Sequence, residues 1–102
     1  MLPNALTDRV QLQEKTTVQT ATGQTEIWKP AGYYYARVIP LDVKTVAYYQ
    51  QLSTVVTHEV ILRGTVSISI GGHRVIHGAK TYEPTASAKH LDGMTDVVVV
   101  EV

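Results

Sequence analysis

Apolar and polar residues alternate along several short stretches of the chain, a pattern typical of strands with one buried face. The first clear case is residues 8–15, where Val10 and Leu12 alternate with polar neighbours. Similar patterns, bounded by Gly or Pro, predict further strands over Gln24–Lys29, Tyr33–Ile39, Thr54–Arg63, Val66–Ile70, His73–His77, Lys80–Glu83, Thr85–His90 and Asp96–Val102. About seven short strands predict a mainly β fold, a small antiparallel β-barrel or sandwich.

The segments between and within these strands carry further signals. Thr16–Gly23 is rich in Thr and Gln, so we predict a polar hairpin connection there, and Pro30–Gly32 predicts a turn. Within residues 33–39, the small Ala36 marks the face that we expect to be buried. The uninterrupted run Val97–Val100 indicates that the last strand is buried on both faces or lies at a subunit contact.

The stretch Asp42–Ser53 leaves two structures open. It contains no Gly or Pro, and Val46, Tyr49 and Leu52 recur at every third position, as on one side of a helix. Asp42 is a candidate N-cap for such a helix. A helix this short is marginal without packing support, so an irregular loop is the alternative. We therefore expect one short helix or long loop inserted mid-chain.

Composition supports a β-rich folded protein. Val, Thr, Ile, Tyr and Trp make up 41 of the 102 residues, and these side chains suit a pleated, half-buried surface. A chain of this length can build one modest core, so we expect residues 1–102 to form a single domain. Cysteine is absent, which excludes disulfides, Cys-type zinc sites and a cysteine nucleophile.

Charge and hydropathy narrow the class of protein. The nine Lys and Arg residues balance the nine Asp and Glu residues, whereas a dedicated nucleic-acid binder usually has a basic excess. The first nine residues lack the pattern of a signal peptide, and no apolar run approaches the roughly 20 residues of a membrane helix. We expect a soluble protein of the cytosol with no membrane partner.

The sequence offers little chemistry for catalysis or metal binding. It has no nucleophile elbow, no phosphate-binding glycine loop and no His-Glu-x-x-His motif. His73 and His77 share a predicted strand face, but about 13 Å of strand would separate them, too far for one metal ion. The carboxylates are scattered along the chain. We therefore predict no enzymatic activity, no metal site and no cofactor.

The tyrosines form two groups, Tyr33–Tyr35 and Tyr48–Tyr49. Some of these side chains are expected to fill the core, and others would suit a contact surface, where Tyr is enriched. An oligonucleotide-binding barrel would also carry aromatic side chains on one face, but interleaved with cations. Only Arg37 and Lys44 are nearby in the sequence, which counts against that function.

Five stretches of the sequence match one known family in their order and spacing. They are Leu6–Gln13, Thr22–Gln24 followed by Trp28, Tyr35–Leu41, Thr57–Arg63 and Arg74–Tyr82. Thr57–Arg63, a Thr-His-x-Val-x-x-Arg strand, is the nearest match among them. The chain thus resembles the head–tail joining proteins of long-tailed double-stranded DNA phages, also called head-closure, head-completion or stopper proteins. It departs from their pattern at Tyr35, where Trp is usual, and at Asp42, where Gly or Ser is usual.

The resemblance implies a structural, non-enzymatic ring at the virion neck, the interface of head and tail, assembled in the host cytoplasm. Its implied partners are further copies of the chain (six or twelve by analogy), a portal or adaptor protein, a tail-terminator or tail protein, and the genomic DNA that the ring retains. A tail-completion or tail-terminator ring protein is one alternative. A small oligonucleotide- or ligand-binding β-barrel is another.

Two segments are candidate contact sites. The mid-chain insertion is expected to project toward the channel lumen or a neighbouring subunit and to act through Lys44, Val46, Tyr48, Tyr49, Gln50 and Gln51. The polar connection after the first strand is expected to contact the adaptor or tail through Thr17, Gln19, Thr20, Thr22 and Gln24. Its Thr and Gln content argues against burial within one subunit.

Overall fold

The computed structural model describes residues 6–102 and contains seven strands and one helix in that part of the chain. The elements in chain order are β1 (Asp8–Thr20), β2 (Gly23–Pro40), α1 (Val43–Gln51), β3 (His58–Arg63), β4 (His73–His77), β5 (Lys80–Pro84), β6 (Lys89–Leu91) and β7 (Met94–Glu101). The prediction of a mainly β fold with about seven strands is confirmed. Residues 1–5, on which the expectation about a signal peptide partly rests, lie outside the described residues.

All seven strands pair in antiparallel fashion, and the sheet closes on itself. The neighbours run β3-β2-β1-β4-β5-β7-β6, and a further pairing joins β3 to β7. Six strands therefore form a closed sheet in the order β1-β2-β3-β7-β5-β4. The short β6 pairs with the beginning of β7, whereas β5 pairs with its end. In this closed order β1 lies opposite β7.

The core lies inside the closed sheet and is built from one face of each long strand. Its buried apolar side chains are Val10, Leu12, Ala36, Val60, Leu62, Val66, Val75, Tyr82, Val97 and Val99. Tyr34 and Val38 pack against this core, whereas Tyr33 and Tyr35 are exposed, so the predicted buried face of residues 33–39 is confirmed. In β7 only alternate valines are fully buried, because successive side chains of a strand point to opposite faces.

The first two strands are longer than the sequence predicts. Thr16–Thr20 continues β1 as far as a tight turn at residues 21–22, so the predicted polar hairpin connection is limited to this turn instead of spanning Thr16–Gly23. Pro30–Gly32 does not turn the chain. It lies within β2 beside a register shift between Leu12 and Gln13. Proline is tolerated because β2 meets β3 only from Ala36 onward, so the outer edge of β2 at Pro30 has no strand that needs its N–H.

Three other predicted strands differ from the observed ones. Val66–Ile70 forms no strand, although Val66 is buried and its N–H donates to the Thr95 hydroxyl at 2.9 Å. Strand β3 begins at His58 rather than at residue 54. In the stretch predicted over residues 85–90, only its last two residues belong to a strand, β6.

The mid-chain insertion is a helix rather than a loop. The Asp42 carboxylate accepts a hydrogen bond of 2.8 Å from the Thr45 N–H, which satisfies one of the free donors at the start of α1. Hydrogen bonding by the Thr45 side chain, and then by this N–H, lowers the pKa of Asp42 below its ordinary value. None of the nine helical residues is buried, so α1 lies on the surface of the closed sheet rather than in its core.

Candidate functional site

The distal halves of β1 and β2 form a two-stranded projection, residues 16–29, which we call the hairpin arm. Pairing of β1 with β4 ends at Glu14, and pairing of β2 with β3 begins only at Ala36. Between these limits the described strands of the arm pair only with each other. The molecule measures 52 × 30 × 25 Å, and its radius of gyration of 14.6 Å exceeds the roughly 13 Å of a compact chain of this length. The arm accounts for this elongation.

The structure places the predicted adaptor or tail contacts at the tip of the hairpin arm, and all of them are exposed: Thr17, Gln19, Thr20, Thr22 and Gln24. Gln19 is paired with Gln24, and Thr17 with Glu26, so these side chains share one face of the arm. Thr20 lies on the other face, where its hydroxyl donates to the Gly23 carbonyl at 3.0 Å. The predicted residues are thus close together but do not form one surface.

The second predicted group lies entirely on α1. Tyr48 is 58% exposed, while Tyr49 is half-buried and its aromatic ring meets that of Tyr48 edge-on at 5.4 Å. Val46 is also half-buried, whereas Lys44 and the two glutamines, Gln50 and Gln51, are exposed. Helix α1 follows the end of β2, and the hairpin arm contains its beginning, so the two predicted sites lie at opposite ends of this strand.

A cleft of about 310 Å³ opens between α1 and the outer face of β3 and β7. Its lining residues are Leu41, Thr45, Tyr49, Glu59, Ala86, Ser87, Lys89, Asp96 and Val98. Ile61 stands opposite Asp96 in the β3–β7 pairing, so Glu59, two residues before Ile61, lies on the same face as Asp96. This pair of carboxyl groups is not evident from the sequence, because only the register of β3 against β7 brings it together.

The environment of the carboxyl pair favours a shared proton. A hydrogen bond with Asp96, burial and the negative charge of Asp96 together raise the pKa of Glu59 to about 7, against the opposing charge of Lys89. Asp96 Oδ1 is fully buried and has no hydrogen-bond partner among the described residues. Residues 6–102 contain no group of three or more His, Asp or Glu side chains that could hold a metal ion. The described residues also include no helix long and apolar enough to cross a membrane.

On the other side of the closed sheet, cations and aromatic side chains alternate along β1, β2 and β4. We call this set the cation–aromatic row, and it consists of Arg9, Lys15, Trp28, Tyr33, Tyr35 and Arg74. At one end, the Arg9 guanidinium lies 5.6 Å from the centre of the Tyr33 ring and 5.2 Å from that of Tyr35. These distances are within the range of cation–π attraction.

At the other end of the row, Trp28 is held between two cations. Arg74 Cζ lies 4.4 Å and Lys15 Nζ lies 5.2 Å from the centre of the Trp28 ring. Trp28 is half-buried at the base of the hairpin arm, next to its pairing partner Lys15. The contact with Arg74 therefore ties the arm to β4.

Hydrogen bonds between side chains connect the two ends of the row. Arg74 Nε donates to Gln13 Oε1 at 2.6 Å, and Gln13 Nε2 donates to Gln11 Oε1 at 2.7 Å. Gln11 Nε2 donates in turn to the Tyr33 hydroxyl at 2.8 Å. The row is thus one connected network, which fixes long side chains before any partner arrives.

The row is not evident from the sequence, because its members are distant in the chain. Arg74 is 61 residues from Gln13, and only the pairing of β1 with β4 brings them together. Along the sequence, Arg37 and Lys44 are the cations nearest the tyrosines. The structure instead places Arg9 against Tyr33 and Tyr35, since Arg9 stands opposite Tyr35 in the β1–β2 pairing. The position of the turn alone does not predict this register, because the irregularity between Leu12 and Gln13 shifts the pairing by one residue.

Comparison with known proteins decides the family. The sequence matches the family described as phage head completion protein over residues 1–101. The chain belongs to this family. The family's description places the protein among the structural components of the phage head. This agrees with the family resemblance found in the sequence. A search of the curated proteins finds no match.

A solved structure resembles this fold closely. The solution structure of protein SF1141 from Shigella flexneri 2a superimposes with a TM-score of 0.80 at 16% sequence identity. The match covers 99% of this chain and 96% of the other. At this low identity the comparison supports the fold alone. Nearly the whole chain thus shares its fold with that protein.

Proposed function

We propose that the protein is a head-closure, or stopper, subunit that forms a ring in the virion neck. In this proposal residues 1–102 act as one domain, and six or twelve copies, by analogy, assemble between the portal–adaptor complex and the tail. The ring retains the packaged DNA and offers the tail a docking surface. Assembly takes place in the host cytoplasm. We assign no enzymatic activity and no cofactor to the protein.

The hairpin arm is the observation that carries this proposal. An isolated two-stranded hairpin is only marginally stable in water, and residues 16–29 pair with no other described strand. Val18 and Ile27 on the arm are exposed, at 36% and 39%. An extended, polar and partly apolar arm of this kind gains stability when it lies against another protein. We infer that the adaptor or a tail protein supplies that surface at Thr17, Gln19 and Gln24.

Helix α1 suits a second role, toward the channel lumen or a neighbouring subunit. It contributes no buried residue, so packing of the core does not explain its presence. Its solvent-facing side carries Lys44, Tyr48 and Gln51. Because α1 and the hairpin arm lie at opposite ends of β2, one subunit can contact two partners at once.

The balanced charge of the chain is compatible with DNA passage. Equal numbers of basic and acidic residues give a formal net charge of zero. A channel wall with a strong positive potential would hold the phosphate backbone and hinder ejection. A neutral ring can therefore surround DNA without binding it tightly. A tail-completion ring is the alternative function, and it differs in docking to the tail tube rather than to the head.

Complementation with an arm-shortened variant tests the proposal. Replacing residues 17–24 with a short Gly-Ser turn should leave the closed sheet folded, since no buried residue is removed. We expect phage that depend on this variant to produce unjoined heads and tails. Ala21→Ser, which keeps the arm at full length, serves as the control and should support normal virions. Normal joining by the shortened variant would remove the arm from the proposed function.

A further inference from the structure

The backbone of the hairpin arm has two open edges. The Lys15 N–H donates to the Gly72 carbonyl at 2.9 Å and therefore points away from β2. Backbone groups alternate in direction along a strand, so those of Thr17 also point outward from β1. Those of Glu26, which is paired with Thr17, point outward from β2 in the same way. No described strand pairs with either edge at these residues.

Most of the arm lacks the features by which proteins protect exposed sheet edges from pairing with other chains. Such protection comes from charged side chains, proline, bulges or a covering segment. Lys15, Lys29 and Pro30 supply charge and proline at the base of the arm. Beyond them, residues 16–25 contain no charged residue and no proline, and the pairing of β1 with β2 has no irregularity there. The arm is thus open to strand addition on both sides.

We propose that neighbouring copies of this chain pair through their hairpin arms, with the β1 edge of one arm hydrogen-bonded to the β2 edge of the next. The proposal rests on the proposed function, since it names a contact between adjacent subunits of the ring. A strand from another protein would cover one edge of the arm and leave the other exposed. A neighbouring arm on each side covers both, because every arm offers one edge of each kind.

The directions of the two strands suit this contact. Strands β1 and β2 run antiparallel to each other. When copies are related by rotation about an axis along the arm, β1 of one copy therefore lies antiparallel to β2 of the next. The contact joins two different edges, so it is head-to-tail, and such contacts generate rings when the rotation closes. A closed ring of arms leaves no exposed edge in this part of the molecule.

Edge pairing leaves the side chains of the arm free for other contacts. Strand addition uses backbone donors and acceptors, whereas side chains stand roughly perpendicular to the sheet. Thr17, Gln19 and Gln24 share one face of the arm and remain available to the adaptor or tail. Val18 and Ile27, both partly exposed, lie on the opposite face. The contact between neighbouring arms and the contact with the adaptor or tail can therefore form together.

Proline substitutions test the two edges separately. Thr17→Pro removes an outward N–H of β1 and Glu26→Pro one of β2, whereas the hydrogen bonds between β1 and β2 remain. In analytical ultracentrifugation of the purified full chain, we expect the wild-type protein to self-associate with rising concentration into a species of fixed mass. Each proline variant should weaken this association at least about tenfold. Thr17→Ala and Glu26→Ala keep the N–H groups and, as matched controls, should associate like the wild type.

A mixture of the two proline variants tests head-to-tail pairing. Thr17→Pro retains its β2 edge and Glu26→Pro its β1 edge, so the mixture should form dimers and no larger species, with circular dichroism establishing that both variants are folded. Association of either variant alone at wild-type strength would overturn the proposal, since like edges would then pair. So would a mixture of folded variants that stays monomeric, or a wild-type protein that is monomeric at every concentration or associates without limit. These outcomes leave head closure itself standing, because that function is tested by the virions of a gene deletion.

Discussion

The guanidinium of Arg74 lies over the aromatic ring of Trp28, with 4.4 Å between Cζ and the ring centre. Arg74 belongs to β4 in the closed sheet, whereas Trp28 is at the base of the hairpin arm. The contact therefore joins a projecting hairpin to the body that carries it. Together with the hydrogen bond from the Lys15 N–H to the Gly72 carbonyl at 2.9 Å, it sets the direction of the arm.

Removing this contact should loosen the arm without unfolding the closed sheet. We expect Trp28→Ala to increase amide hydrogen exchange over residues 16–29, because a cation–π pair contributes about 0.5–2 kcal/mol. Exchange of the core strands β3 and β7 should stay unchanged. Ile27→Ala, an exposed neighbour on the arm, is the matched control and should have a smaller effect. Equal protection of the arm in Trp28→Ala and wild-type protein would show that the contact does not order it.

The carboxyl pair makes stability depend on pH. The hydrogen bond with Asp96, burial and the charge of Asp96 raise the pKa of Glu59 from 4.5 to about 7. Between these values the folded state holds more protons than the unfolded state, so the free energy of unfolding falls as the pH rises from about 4.5 to 7. Glu59→Gln should therefore raise the melting temperature at pH 8 and have much less effect at pH 5. A melting temperature with the same pH profile in both proteins would contradict this origin.

We expect the buried hydroxyl of Thr95 to stabilise the fold. It is fully buried, donates to the Gly64 carbonyl at 2.8 Å and accepts from the Val66 N–H at 2.9 Å. Thr95→Val keeps the shape but leaves both backbone groups without this partner, at a cost of about 1–3 kcal/mol. Thr95→Ser, which retains the hydroxyl, should be milder. Urea unfolding of the two variants measures the difference, and equal midpoints would show that the hydroxyl is dispensable.

Deletion of residues 46–51 tests the proposed role of α1 in the neck. The helix contributes no buried residue, so the closed sheet should still fold. In phage complemented with the deletion variant, we expect particles that lose their DNA, whether or not heads and tails are joined. Nuclease sensitivity of the genome measures this loss. A Gly-Ser segment of equal length separates the effect of the helix from that of a shortened chain. Full DNA retention by the deletion variant would exclude a gating role.

Local pattern predicts much of this fold because one face of each strand is buried. Alternation predicts that Val10 and Leu12 face the core, the small size of Ala36 predicts the same for its strand face, and all three residues are buried. The sequence predicts Asp42 as an N-cap, and its carboxylate accepts a hydrogen bond from the Thr45 N–H, which stabilises a helix over the following residues. These successes depend on interactions within a few residues or on simple periodicity.

The sequence predictions fail where contacts between residues far apart in sequence determine the backbone conformation. Val66–Ile70 alternates like a strand, yet the Val66 N–H bonds to a side chain, Thr95, instead of a neighbouring strand. Pro30 is accommodated because the adjacent edge of β2 is free. The cation–aromatic row and the Glu59–Asp96 pair depend on registers between strands far apart in sequence, which no local pattern specifies.

Electron microscopy of lysates from a phage that lacks this gene tests the central claim most directly. Head closure predicts tails of normal length that are separate from heads, and heads that have lost their DNA. Full heads with attached tails of irregular length would instead place the protein at tail completion. Normal virions would contradict the proposed function.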